Sequence, residues 1–152
     1  MNILMCIGNS ERGDDGMSHY VATHFKHPDW TVLDCGTVPE NFTGVVKKAK
    51  PDKVVLLDVA DMDLAPGEIR RIPRDRIRHV SIGTHSIPLY LLMDYIGESA
   101  LEVIFVGIQP TTLDYGDTLS AVVKKAAGAL MKVFKSGKLD GIETLKEDAT
   151  AG

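Results

Sequence analysis

The sequence predicts an α/β fold: a three-layer α/β/α sandwich around a twisted, mainly parallel but mixed sheet of about five strands. Two observations lead there. Short runs rich in Val, Ile and Leu recur at residues 3–7, 31–33, 54–57 and 103–108, with segments of helical periodicity between them. The runs Lys53-Val54-Val55-Leu56-Leu57 and Glu102-Val103-Ile104-Phe105-Val106 are apolar almost throughout instead of alternating. Strands of that kind are buried on both faces, so helices must cover both sides of a parallel sheet.

The first strand runs directly into Gly8-Asn9-Ser10-Glu11-Arg12-Gly13-Asp14-Asp15-Gly16, a glycine-rich turn ahead of a helix expected over residues 15–25. Such turns usually leave backbone N–H groups free to hold a phosphate. Two carboxylates fill that position here, which is the wrong charge for an anion. The helix dipole favours their ionised forms, so Asp14 is expected as an N-cap and Asp15 as an outward-pointing carboxylate suited to a cation. Further helices are expected over residues 41–50, 87–96 and 118–134, the last ending at the stop signal Lys135-Ser136-Gly137. Pro66-Gly67 marks a turn, and residues 68–72 read as a short strand pairing antiparallel at an edge, which makes the sheet mixed. Beyond Gly137 the apolar periodicity fades, so one domain over residues 1–136 and a flexible, solvated tail over 137–152 are expected.

Composition narrows the function. With 152 residues, 44% of them hydrophobic, the chain supports one full core. A net charge of -4, a pI near 5.7 and the lack of a basic stripe argue against nucleic acid as a partner. No stretch reaches the roughly 20 apolar residues of a membrane span, and no basic region precedes the opening apolar run, so a soluble, cytoplasmic protein is expected. Cys6 and Cys35 form no C-x-x-C pair and lie in or beside predicted strands, which reads as reduced, structural thiols.

In an open α/β sheet, ligands bind beyond the carboxyl ends of the strands. Three places there carry chemistry: Asp14-Asp15 after the first strand; Asp58, which closes the run 54–57 and precedes Asp61 and Asp63; and His85, in Gly83-Thr84-His85-Ser86-Ile87-Pro88-Leu89 just before a helix. Two carboxylates and an imidazole form a mixed N/O ligand set suited to zinc, nickel, manganese or iron with an open position. The residues alone leave other readings open, including hydrated acidic loops, a capping histidine, or a carboxylate pair sharing a proton as in aspartic catalysis. Asp58 is the hardest to dismiss, because burying an unpaired carboxylate at the end of an aliphatic run costs several kcal/mol. His19 and His24 are five apart and share no helix face, and Ser86 lies in no G-x-S-x-G elbow. The missing G-x-G-x-x-G spacing makes a dinucleotide site a poor reading.

The motifs Ile7-Gly8-Asn9, Gly13-Asp14-Asp15-Gly16, Leu57-Asp58-Val59-Ala60-Asp61, Pro66-Gly67-Glu68-Ile69, Thr84-His85-Ser86-Ile87-Pro88 and Gly107-Ile108-Gln109-Pro110 occur in this order. Together they resemble the hydrogenase maturation proteases, endopeptidases that trim the C-terminus of the large subunit of NiFe hydrogenases. The likeness is greatest to the branch that processes the hydrogenase-3 type subunit of formate hydrogenlyase. The resemblance implies Asp15, Asp58 and His85 as metal-engaging residues, with Asp15 or Asp58 also catalytic as base. It implies no permanent cofactor: the nickel belongs to the precursor large subunit, which is the partner, and the protease is expected as a monomer. Asn9 is placed to orient Asp15 or simply to satisfy the turn. Many relatives carry two glycines where this chain has Cys35-Gly36, which would put a thiol by the cleft. The alternative is a non-catalytic chaperone that binds nickel or the precursor through the same ligands.

Overall fold

The structure, a computed structural model, describes residues 1–82, 88–116 and 118–146. In chain order it comprises β1 (Asn2–Ile7), α1 (Met17–His24), β2 (Trp30–Gly36), α2 (Thr43–Ala49), β3 (Lys53–Asp61), β4 (Ile69–Arg71), β5 (Ser81–Ile82), α3 (Leu89–Gly97), β6 (Glu102–Ile108) and α4 (Ala121–Ser136). The sheet order is β2-β1-β3-β6-β4, with β5 paired to β3 off that path. The first four strands are mutually parallel, and β4 runs antiparallel to β6. The mixed five-strand sheet is the one the apolar runs predict. The two-residue β5 is an addition, too short to leave a pattern in sequence.

The continuous apolar strands divide their side chains between two cores. Leu4, Cys6, Val55, Leu57 and Val59 pack with Met17 and Val21 of α1 and Val123, Ala127, Leu130 and Phe134 of α4. On the opposite face Ile3, Met5, Ile7, Val54 and Leu56 pack with Val46 of α2 and Leu89, Leu92 and Ile96 of α3. Successive residues of a strand point to opposite faces, so an apolar run fills both layers at once. The chain leaves β1 through α1 on one face to reach β2, then returns through α2 on the other face to β3. The connections therefore diverge between β1 and β3, and the carboxyl ends of those two strands are where open α/β sheets form their binding crevice.

Two expectations need correction. The helix expected from residue 15 begins at Met17, because Gly13–Gly16 form a tight 3-10 turn. The tail expected from residue 137 does not begin there. Leu139 and Ile142 are buried in the α1/α4 core, and the following residues run alongside β4, where the Arg71 N–H donates to Glu143 O (2.9 Å) and the Leu145 N–H to Arg71 O (2.8 Å). This segment covers an otherwise open sheet edge, a position that exposed backbone would leave prone to pairing with another chain. Residues 147–152 lie outside the described residues. Removing residues 137–152 should lower unfolding free energy by about 3 kcal/mol or more, from two buried aliphatic side chains alone. Urea denaturation measures it, and an unchanged midpoint contradicts the packing of this segment.

Candidate active site

β1 pairs with β3 as far as Cys6 and Leu57, and the next residues, Ile7 and Asp58, stand where the two strands part. Asp58 is fully buried and lies opposite Gly107 of β6. Alternation sets it on the α2/α3 face with Leu56 and Ala60. One of its oxygens, Oδ1, accepts the Val59 N–H at 2.8 Å. A carboxylate carried on a central strand is held by the ladder itself, which leaves it little freedom to move.

After Ile7 the chain folds back sharply over the end of β1. Gly8 makes this possible: a Cβ there would lie 2.2 Å from the backbone oxygen of Asp15 and 3.1 Å from its Oδ1. No other residue fits so close an approach. The turn brings Asp15 to the crevice with only 5% of its surface exposed, so it is buried and not outward-pointing as the helix-start argument expected. Its Oδ2 accepts the Asn9 N–H at 2.8 Å, whereas Oδ1 is buried without a hydrogen-bond partner among the described residues. The Asn9 side chain is engaged elsewhere, accepting the Glu11 N–H at 2.9 Å, so the backbone of Asn9 orients Asp15 while its amide serves the turn. The Ser18 hydroxyl, three residues past Asp15, donates to Leu57 O at 2.9 Å and ties this unit to β3 one residue before Asp58.

Asp14 is not an N-cap of its own helix; no side chain caps either the 3-10 turn or α1. It is fully buried, and both its oxygens reach across to a segment more than 90 residues later. Oδ2 accepts the Thr111 N–H (2.8 Å) and the Ser120 hydroxyl (2.9 Å), and Oδ1 accepts the Ser120 N–H (2.7 Å). Ser120 in turn caps α4, accepting from the Val123 N–H. The backbone adds Gly13 N–H to Gly116 O, Gly116 N–H to Glu11 O and Asp14 N–H to Thr112 O. The glycine turn and the segment after β6 are thus welded into one double loop, with Asp15 fixed at its inner edge.

His85, the third expected member, lies outside the described residues. On either side of it, β5 pairs with Ala60 and Asp61 of β3, and α3 starts at Leu89 on the face toward which Asp58 alternates. Among the described residues no group of three or more His, Cys, Asp or Glu is disposed to hold a metal. His19 and His24 stay apart from the crevice; His19 Nδ1 contacts Asp34 Oδ2 at 2.6 Å on the surface, and His24 stacks on Tyr20.

Cys35 does not line the crevice as its replacement of a glycine suggested. It is 2% exposed, in the α2/α3-side core, and burial followed by the nearby Asp34 charge pushes its thiol up to about 12. Burial also raises Cys6. Neither thiol supplies a thiolate near neutral pH. One site feature had no signal in sequence beyond its motif: Gln109, whose buried amide donates to Asp61 Oδ1 at 3.1 Å and, with the Asp63 N–H, holds that carboxyl below the usual carboxylate range.

Comparison with known proteins first gives the class. The fold is that of solved endopeptidases: the solution structure of endopeptidase HycI from Escherichia coli matches with a TM-score of 0.86 at 32% identity, covering 97% of this chain and 99% of that one. The NiFe hydrogenase maturation protease HycI from Thermococcus kodakarensis KOD1 matches with a TM-score of 0.78 at 28% identity, over 89% and 90%. The sequence then gives the family. The hydrogenase maturation protease profile matches residues 17–136, and the hydrogenase 3 maturation protease of Escherichia coli K12 is 36% identical over 129 residues, 82% of this chain and 83% of that protein. The chain belongs to the hydrogenase maturation proteases, on the hydrogenase-3 branch, and is a peptidase by that membership. No helix among its described residues is long and apolar enough to cross a membrane.

Gly8→Ala forces a methyl group into the Asp15 backbone, so it should cost at least about 1–3 kcal/mol and displace Asp15. Urea denaturation with an activity assay checks this; native stability and full activity together contradict the close approach. The raised Cys35 thiol predicts a pH effect of definite sign. The folded state keeps a proton that the unfolded chain releases above its ordinary value of 9.0, so stability is intact below that pH and falls as pH rises toward 12. The stability of the wild type relative to Cys35→Ala should therefore be constant below pH 9.0 and decline above it. A flat difference across that range contradicts the burial argument.

Proposed function

We propose that this chain is a cytoplasmic endopeptidase that removes a C-terminal peptide from the nickel-loaded precursor of a NiFe hydrogenase large subunit. Asp15, Asp58 and His85 engage the nickel, which arrives with the substrate; the protease keeps no permanent cofactor. The observation that carries this reading is Asp15 Oδ1, a buried carboxylate oxygen without a hydrogen-bond partner among the described residues, on the turn that Ser18 ties to β3 one residue before Asp58. A carboxylate oxygen buried in that way costs free energy that an arriving cation recovers. Only the loaded precursor provides the cation, so the cost discriminates against unloaded substrate. His85 is supported by its tethers: it follows Ile82, which pairs with Ala60, by three residues that reach about 10 Å at most. It precedes Pro88, the N-cap of α3, by the same count.

With the nickel engaged, the peptide just beyond its ligands lies at the crevice. The metal polarises the scissile carbonyl as a Lewis acid, and a water activated by Asp15 or Asp58 as general base attacks it. Proton delivery to the leaving amine then completes hydrolysis, and loss of the C-terminal peptide frees the site.

Purified protein should shorten nickel-loaded precursor, as read by mass spectrometry, and leave nickel-free precursor intact. Asp58→Asn and His85→Ala should each lower cleavage by at least about 10²-fold with melting curves close to wild type. Full activity in both variants contradicts the site. Failure of the wild type to shorten loaded precursor while still binding it overturns the protease reading in favour of a chaperone.

A further inference from the structure

We propose that Gln109 is a positioning residue for the peptidase reaction: its buried carboxamide sets the path of β3 beyond Asp58, and through it the place of the Asp58 carboxylate. This rests on the reading of Asp58 given above.

Gln109 is the first residue past β6 and is 7% exposed. Pro110 follows and has no N–H, so the β6 ladder cannot continue. At this point the main chain and the side chain of Gln109 serve different neighbours. The main chain turns toward the approach to β4: Gln109 N–H donates to Glu68 O, and its carbonyl accepts the Gly67 N–H, both at 2.9 Å. The side chain turns the other way, toward the exit of β3. Its Oε1 accepts the Met62 N–H at 2.6 Å and the Leu64 N–H at 3.4 Å, and its Nε2 donates to Asp61 Oδ1 at 3.1 Å.

The ladder between β3 and β6 ends at Val59 and Ile108, one residue after Asp58 pairs with Gly107. On that side of β3, the Gln109 amide then replaces main-chain pairing for the next residues. Gly107 works with it. A Cβ on Gly107 would meet Ile72 Cδ1 at 2.7 Å and Ala60 Cβ at 3.1 Å, so the exit of β3 lies against the backbone that faces Asp58. Beyond Val59, β3 keeps only the two-residue pairing of Ala60 and Asp61 with β5, and a strand end so lightly paired frays. The clamp stops that fraying three residues from Asp58, in a polar arrangement no aliphatic side chain can reproduce. A carboxylate that must meet a metal and a scissile peptide tolerates little displacement.

Two variants test this. Gln109→Met keeps the length and the main-chain bonds but loses every side-chain polar contact; Gln109→Glu keeps the acceptor for Met62 and Leu64 but presents a carboxylate to Asp61. Gln109→Met should lower kcat on loaded precursor on the order of 10²-fold with KM within about twofold, at a temperature where circular dichroism shows full folding. Hydrogen exchange should quicken at least about tenfold at the Met62 and Leu64 amides while Leu4 in β1 stays protected. Gln109→Glu should keep both amides protected and show a smaller loss of kcat. Normal kcat in Gln109→Met, a loss confined to KM, or unchanged exchange at Met62 and Leu64 overturns the proposal. A wild type that leaves loaded precursor intact overturns the protease reading instead, and the exchange result still decides whether the clamp exists.

Discussion

The carboxylate of Asp14 joins two distant segments of the chain, the glycine turn after β1 and the loop after β6. It is fully buried, yet its backbone and hydroxyl donors all come from the segment after β6. Removing this acceptor would leave several partly buried donors without their partner. Because the same turn carries Asp15, the weld fixes Asp15 as well. The adjacent carboxylates thus divide their work: Asp14 is saturated and structural, whereas Asp15 retains an oxygen without a partner among the described residues.

This division follows from the parallel sheet. Apolar runs buried on both faces require helices on both sides, and covering both sides makes the connections diverge beside β1. The crevice at that point is lined by whatever ends the strands. Here Gly8 lets the turn approach the strand end, Asp58 is locked in the ladder, and Ser18 bridges from α1 to Leu57. The two cores supply the stability; the site retains a polar atom, Asp15 Oδ1, with no partner among the described residues. Such local cost is expected where a site awaits a ligand.

How much of this was legible in the sequence differs by element. The central strands were, because continuous apolar runs have one physical reading, and Asp58 was, because a charge set in such a run demands a partner, although β3 runs on past it to Asp61. β5 was not: two residues carry no periodicity. The segment after Gly137 reads as a tail, since Leu139 and Ile142 are isolated apolar residues and only tertiary contact shows them buried. The role of Asp14 was hidden for a similar reason. A local rule made it a helix cap, but its partners lie about a hundred residues away, as with Ser120. Gln109 reads as a loop residue after a strand, and nothing local shows that its amide spans to Asp61 and Met62. Burial of Asp15 and Cys35 likewise depends on packing that spacing does not express.

The central claim is that Asp15 and its neighbours meet the nickel of the substrate. Nickel K-edge X-ray absorption on loaded precursor, mixed with the protein and freeze-quenched before turnover, tests it most directly. The account predicts additional oxygen or nitrogen scatterers at about 2.0–2.2 Å, lost when Asp15 is replaced by Ala. A spectrum identical to that of the precursor alone would contradict it.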